Sequence, residues 1–305
     1  MKKNKLSIPY PTDLPSWQAL NIHYQDEIKS CLINDFFTED PQRTQTFSVD
    51  SGNLFFDYSK NLLTKKTKEL LINLSHEIFL DQAIEAMFQG ENINYSEGRP
   101  ALHVALRSKL SDQIALHIPG VKDIWATLDR MDQFVNRIHS RDLLGYTGKG
   151  ITNIVNVGIG GSDLGVMMSV EALKHHAKKG MKFYNASNID GIKLNDLMDE
   201  INIEETLFVI VSKTFTTKET LNNSNIAKQW VLDTLGLDAV TSHFAAVSAN
   251  GEAMNAFGIN SDYQFPIWDW VGGRYAITSA ANLSLALLIG MKNFRNFLLG
   301  ARHMD

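Results

Sequence analysis

The stretch from Ile151 to Gly165 constrains the fold most, because it combines the pattern of a buried strand with a glycine-rich turn. Residues 153–157 are rich in valine and isoleucine, as is typical of a central parallel strand that is covered on both faces. The glycines that follow allow a sharp turn and a close approach of the backbone to a ligand. Ser162 and Asp163 stand where a helix would begin, and the free N–H groups of a helix start favour anions. The stretch therefore predicts a βα unit with a phosphate-binding turn.

Three common glycine motifs do not fit this turn. A dinucleotide fingerprint requires glycine at the position of Asp163, and a P-loop requires lysine followed by serine or threonine after Gly165. A nucleophile elbow requires glycine at the position of Leu164. The turn is therefore a phosphate cradle of another type or a βα turn that binds nothing, and this segment alone leaves both alternatives open.

Strand and helix patterns alternate from residue 151 onward. The predicted strands are residues 153–157, 182–184, 207–211 and 243–247. The predicted helices are residues 166–178, 194–200, 218–235, 252–257 and 277–288. This alternation with long crossovers predicts an α/β fold with a parallel sheet. Ligands of such sheets bind beyond the carboxyl ends of the strands, so the loops that follow strands are the candidate sites.

The residues before this region have helical rather than strand patterns. Leucines between residues 62 and 74 recur at helical spacing, and further helices are predicted at 101–109 and 121–138. We therefore expect an amino-terminal helical region at residues 1–119 and an α/β domain at residues 120–290. Residues 291–305 are expected to begin a truncated carboxyl-terminal region.

A hydroxyl-rich loop follows the strand predicted at 207–211. Its sequence from Ser212 to Thr220 is SKTFTTKET, which supplies five hydroxyl groups and two lysines. Hydroxyl and amide donors form directional hydrogen bonds to phosphate oxygens, and a lysine adds charge. Thr216 and Glu219 have the spacing of a capping box, which predicts a helix start. A polar loop with a good helix cap explains the same residues, but two such loops at strand ends favour phosphate binding.

Paired glycines and an arginine form a third segment, WDWVGGRY, which ends at Tyr275. The glycines allow a close backbone approach, and Arg274 carries a delocalised charge that can stabilise a developing oxyanion. Alternatively, Arg274 pairs with Asp269 inside a structural turn, and the spacing alone does not decide between the two.

Composition argues against several classes of partner. The formal net charge of the 305 residues is −5 and no basic stripe is present, so we expect no nucleic acid and no anionic membrane surface as a partner. The one cysteine, Cys31, cannot form an internal disulfide, which predicts a reducing, cytoplasmic location. The adjacent His175 and His176 would diverge on a helix, so no metal site is expected.

Four segments together resemble the glucose-6-phosphate isomerase family. They are GIGGSDLG at 158–165, SKTFTTKET at 212–220, WDWVGGRYAITSA at 268–280 and, less specifically, EGRPALHVALR at 97–107. They occur in the order of the family. Val166 departs from a frequent proline, and residues 276–278 depart from the family's common pattern. The resemblance implies a sugar isomerase (SIS) domain, which is a parallel-sheet sandwich, preceded by a helical region.

The resemblance also implies an activity, the interconversion of glucose 6-phosphate and fructose 6-phosphate through a cis-enediolate. No metal or organic cofactor is required by this chemistry. The implied substrate-binding residues are Gly161, Ser162, Asp163, Ser212, Lys213, Thr214, Thr217 and Gly273. The implied catalytic residue is Arg274, which would stabilise the enediolate. The implied partners are a small-molecule sugar phosphate and, for the full-length protein, a second copy in a homodimer.

Other catalytic groups of the family have no match in this chain. The family's catalytic glutamate, ring-opening histidine and a further lysine lie carboxyl-terminal to the VGGR motif. We therefore expect an amino-terminal fragment without isomerase activity. Glu219 suits a helix cap better than a base, and Glu97 has no motif support as a base. The alternative function is a non-catalytic regulatory module that binds a sugar phosphate.

Overall fold

The computed structural model describes residues 9–52 and 54–305, which are mainly helical before residue 150 and alternate between strand and helix after it. The strands are β1 (Ser48–Asp50), β2 (Phe55–Asp57), β3 (Asn153–Val157), β4 (Lys182–Asn185), β5 (Thr206–Val211), β6 (Phe244–Ser248) and β7 (Gln264–Pro266). The α-helices are α1 (Pro15–His23), α2 (Ile33–Glu39), α3 (Arg43–Thr46), α4 (Lys65–Glu77), α5 (Leu80–Phe88), α6 (His103–Leu106), α7 (Ile124–Ser140), α8 (Leu164–Leu173), α9 (Gly191–Glu200), α10 (Lys218–Leu235), α11 (Val240–His243), α12 (Gly251–Phe257), α13 (Leu283–Ile289) and α14 (Met291–Arg302). No helix of these described residues is long and apolar enough to span a membrane.

Strands β3 to β7 form one parallel sheet in the order β4-β3-β5-β6-β7. Every residue of β3, β5 and β6 is buried, because their apolar sequences are covered on both faces. Helices α10, α12 and α13 pack against these strands, and α7 packs against β7. The predicted α/β fold with a parallel-sheet sandwich is therefore confirmed.

The strand order creates a switch point between β3 and β5. The chain adds β4 on one side of β3 and then returns to add β5, β6 and β7 on the other side. Val157 pairs with Ile210, so β3 and β5 end at the same edge of the sheet. In open α/β sheets the crevice at such a point is the usual ligand site. The loops that follow these two strands are the two that the sequence singled out.

The chain consists of two compact units, and the boundary between them lies between Ala86 and Met87, inside α5. In the first unit α1 packs on α4, and β1 pairs with β2 in an antiparallel hairpin. A buried arginine, Arg43, donates hydrogen bonds to the backbone carbonyls of Ser59, Asn61 and Leu63, which fixes the chain after the hairpin. The second unit contains the sheet, α6 and α7 before it and α14 after it. The domain boundaries at 119/120 and 290/291 stay predictions.

Three predicted helices differ from those of the structure. The helix predicted at 166–178 ends at Leu173, where a 3₁₀ turn follows. The helix predicted at 277–288 is wrong in its first half, where residues 273–278 form a 3₁₀ turn and α13 begins only at Leu283. The interruption lies at Ser279, whose backbone is extended and whose hydroxyl accepts a hydrogen bond from the N–H of Ala281. The helix predicted at 101–109 is limited to the four residues of α6.

Candidate functional site

The glycine loop, residues 158–163, leaves the carboxyl end of β3 and leads into α8. Gly160 adopts a left-handed conformation with φ +59°, which favours glycine. Asp163 is the N-cap residue of α8, as predicted, but its side chain makes no capping hydrogen bond. Its carboxylate is buried and accepts a hydrogen bond from Asn185 Nδ2 at 3.2 Å. Asp163 therefore joins the glycine loop to the end of β4.

A buried asparagine in β3 supports this loop. Asn156 is fully buried, and its Nδ2 donates to the backbone carbonyl of Ser162 at 3.1 Å. Its Oδ1 accepts a hydrogen bond from Ser284 Oγ at 3.0 Å, which links the loop to α13. No sequence pattern assigned a role to Asn156. An asparagine between the valines of a buried strand was the signal that would have found it, because a buried amide requires partners.

The glycine loop contacts the segment that contains Arg274. A Cβ atom on Gly161 would lie 2.7 Å from the backbone oxygen of Gly273 and 2.8 Å from its carbonyl carbon. Only a hydrogen fits in this space. Gly273 itself has φ +48°, a conformation that other residues rarely adopt. The structure thus brings together two predicted site glycines from segments more than one hundred residues apart.

The hydroxyl loop, residues 212–217, leaves the carboxyl end of β5 and is held against the end of β6. The backbone carbonyl of Lys213 accepts hydrogen bonds from Ala249 N at 2.9 Å and from Ser248 Oγ at 3.1 Å. The backbone of Phe215 has φ +56°, and its ring is buried edge-on against Phe257. These contacts fix the loop without using its hydroxyl groups.

The hydroxyl groups of this loop pair with one another. Buried Ser212 Oγ donates to Thr217 Oγ1 at 3.3 Å, and the Oγ1 atoms of Thr214 and Thr216 share a hydrogen bond of 2.7 Å. The predicted capping box is wrong, because Thr217, not Thr216, is the N-cap of α10 and its side chain makes no cap bond. The tight turn at 215 brings Thr216 to Thr214 instead of to the helix.

The lysine of the hydroxyl loop reaches the third segment. Lys213 Nζ donates to the backbone carbonyl of Asp269 at 2.6 Å. Burial lowers the pKa of Lys213, and the positive charge of Arg99 lowers it further. Arg99 Nη1 lies 3.4 Å from the Asp269 carboxylate, so the alternative pairing of Asp269 with Arg274 is wrong. Arg274 is exposed, and its guanidinium group has no hydrogen-bond or ion-pair partner among the described residues.

A cleft of about 420 Å³ lies beside Arg274. Its lining includes Glu97, Arg99, Asp269, Gly273 and Arg274. Both carboxylates of this lining are within ion-pair distance of Arg99, Glu97 at 3.4 Å and Asp269 at 3.4 Å. The cleft therefore holds two guanidinium groups, Arg99 and Arg274, beside its two carboxylates.

The described residues contain no cluster of three or more histidine, cysteine, aspartate or glutamate side chains that could hold a metal ion. The predicted divergence of His175 and His176 is wrong, since their rings lie 4.1 Å apart. Both residues belong to a 3₁₀ turn after α8 rather than to the helix itself.

Comparison with known proteins agrees with this arrangement. Residues 57–305 match the family model described as phosphoglucose isomerase. A glucose-6-phosphate isomerase of Pseudomonas syringae pv. syringae is 46% identical over 296 residues, which are 96% of this chain and 53% of that protein. One of Nitrosospira multiformis is 45% identical and is matched over 54% of its length. The crystal structure of a glucose-6-phosphate isomerase from Chlamydia trachomatis has a TM-score of 0.82 at 26% identity, over 97% of this chain and 56% of that one.

The chain spans about half the length of the curated relatives it matches. The family match nevertheless covers 57–305, which includes all of the sheet and every predicted site residue. These relatives and the solved structure are named glucose-6-phosphate isomerase. The chain belongs to the phosphoglucose isomerase family.

Proposed function

We propose that this chain carries the sugar-phosphate site of a glucose-6-phosphate isomerase, which interconverts glucose 6-phosphate and fructose 6-phosphate. The contact between Gly161 and Gly273 is the observation that carries the proposal. It joins the glycine loop at the switch point of the sheet to the segment of Arg274. The hydroxyl loop at the next strand end is the third part of the site.

The hydroxyl loop is suited to bind the phosphate group. Ser212, Thr214 and Thr217 supply hydroxyl donors, and the ammonium group of Lys213 supplies charge. The start of α10 adds free backbone N–H groups at the positive end of a helix dipole. Binding of the phosphate would anchor the sugar so that its reacting carbons are held in one orientation.

The glycine loop and Arg274 are suited to the sugar. Gly161, Ser162 and Asp163 form the wall that adjoins the phosphate, and Gly273 with Arg274 lies beside the reacting carbons. As a base moves the proton between C2 and C1, negative charge develops on the enediolate oxygens. The exposed guanidinium of Arg274 would stabilise that charge.

We also propose that the 305-residue chain binds the sugar phosphate without turning it over. Glu97 and Asp269 are the carboxylates of the cleft, each within ion-pair distance of Arg99, and neither stands in a segment that matches the family's catalytic glutamate. An assay that couples fructose 6-phosphate to glucose 6-phosphate oxidation should give no signal above that of the buffer. Turnover by the purified chain would contradict this part of the proposal. A homodimer and a cytoplasmic location complete the proposal.

A thermal-shift titration with 6-phosphogluconate tests the site itself. A ligand that binds only the folded state raises its stability, by about 2.7 kcal/mol at one hundred times Kd. The wild-type chain should show a rise in Tm, whereas Lys213→Ala should show little or none and Ser212→Ala a smaller rise. Lys182→Ala is the matched control, because Lys182 is exposed at the opposite edge of the sheet. A wild-type chain without a shift, or an equal shift in Lys213→Ala, would overturn the proposal.

A further inference from the structure

Two cationic side chains donate hydrogen bonds to one backbone oxygen at the edge of the cleft. The carbonyl of Asp269 accepts from Lys213 Nζ at 2.6 Å and from Arg99 Nη1 at 3.0 Å. Arg99 belongs to the segment at 97–107, for which the sequence predicted no role in the site. Because a carbonyl oxygen has two lone pairs, it is fully satisfied by these two donors.

The two donors are held differently. Arg99 has further partners, since its Nε lies 3.4 Å from Glu97 Oε2 and its Nη1 lies 3.4 Å from Asp269 Oδ1. Among the described residues, the Lys213 ammonium has the Asp269 carbonyl as its one hydrogen-bond partner. The like charge of Arg99 also repels it. Lys213 can therefore leave this carbonyl while Arg99 stays.

We propose that Arg99 is a positioning residue for Lys213. When the Lys213 ammonium turns to the phosphate group of a bound sugar phosphate, Arg99 remains on the Asp269 carbonyl. The carbonyl then keeps a donor, so the transfer of Lys213 to the ligand leaves no unpaired acceptor behind. The inference rests on the proposed function, because it assigns the Lys213 ammonium to the phosphate of that ligand.

The first test is the dissociation constant of 6-phosphogluconate at neutral pH, measured by calorimetry on the 305-residue chain. Arg99→Met removes the donor and the charge at similar length, and it should weaken binding about fivefold, as expected for the loss of one hydrogen bond. Arg99→Lys keeps a cationic donor and should stay within about twofold of the wild type. Equal affinity of the wild type and Arg99→Met would overturn the inference.

A double-mutant cycle separates positioning from direct contact with the ligand. In the Lys213→Met variant, the Kd of 6-phosphogluconate is measured by NMR at millimolar ligand. Adding Arg99→Met to this variant should change the affinity less than about twofold, because Arg99 affects binding only by way of Lys213. If Arg99 touched the phosphate itself, the loss would be the same in both backgrounds, and the inference would be wrong.

The pH dependence of binding distinguishes the proposed role of Arg99 from a purely structural one, which would leave this pH dependence unchanged. Arg99, Asp269 and Glu97 are the charged groups that act on Lys213. Well above the second pKa of the phosphate, which is about 6, the charge of the phosphate is constant, so affinity should fall as Lys213 loses its proton. Arg99→Met removes a positive neighbour and should move this fall to higher pH, whereas Arg99→Lys should not. If the affinity of Arg99→Met falls at the same pH as that of the wild type, the inference is wrong. If the wild type itself fails to bind, it is the proposed function that fails.

Discussion

The glycine loop and the hydroxyl loop occupy equivalent places in the fold but are fixed in opposite ways. Both follow buried neighbouring strands and both lead into a helix. The glycine loop reaches its partner segment because Gly161 has no side chain. The hydroxyl loop is anchored by a side chain, Phe215, which is buried beside Phe257. One loop should therefore be broken by adding a methyl group, and the other by removing a ring.

Phe215→Ala should give the largest effect on stability. Removing a buried phenylalanine ring costs about 3 kcal/mol or more, because it leaves a cavity under the hydroxyl loop. The free energy of unfolding, measured by urea titration, should fall by this amount, and 6-phosphogluconate affinity should fall with it. Phe215→Leu is the matched control and should lose less. Equal stability of Phe215→Ala and the wild type would show that the ring does not hold the loop.

Gly161→Ala should have the next largest effect. The added methyl group would collide with the backbone of Gly273, which cannot move aside as a flexible side chain would. We expect a loss of about 1–3 kcal/mol in unfolding free energy, the usual cost of overpacking, together with a loss of 6-phosphogluconate binding. Gly272→Ala is the control, because it has no neighbour within 4 Å and an ordinary φ of −122°. If both variants behaved alike, close packing would not be what joins the two segments.

Ser212→Ala should have the smallest effect on stability and a clear effect on binding. The lost hydrogen bond to Thr217 contributes about 1 kcal/mol, which is a typical net value for a neutral pair. The free energy of binding 6-phosphogluconate should weaken by more than the free energy of unfolding does, because the hydroxyl also donates to the phosphate in the proposed site. Ser169→Ala, which removes a buried hydroxyl from α8, is the control for stability alone. If Ser212→Ala bound 6-phosphogluconate as tightly as the wild type, Ser212 would not belong to the phosphate site.

Local sequence patterns predicted the strands that carry the site because those strands are buried on both faces. The apolar runs at 153–157 and 207–211 match β3 and β5 to within one residue. Strand β7 was not predicted, since its three residues include a glutamine and a proline and form a strand only through pairing with β6. Element boundaries near glycine and serine, as at Ser279, depended on hydrogen bonds that a local pattern does not contain.

The sequence indicated the separate segments of the candidate site but not the contacts between them. The three segments were found from their glycines, hydroxyls and arginine. Their contacts arise from tertiary packing, and these residues are far apart in sequence. Arg99 and Asp269 are 170 positions apart, so no local spacing could indicate that the carbonyl of Asp269 accepts hydrogen bonds from both Arg99 and Lys213. Sequence spacing instead suggested the pair Asp269 and Arg274, which the structure does not form.

An NMR titration of the amide-labelled chain with 6-phosphogluconate tests the central claim, that three segments form one sugar-phosphate site. The amide signals of Gly161, Ser162, Lys213, Thr214 and Arg274 should shift together, with one dissociation constant. The signals of Lys182 at the opposite edge of the sheet should stay in place. Shifts confined to one of the three segments, or different dissociation constants for the two loops, would contradict a single site.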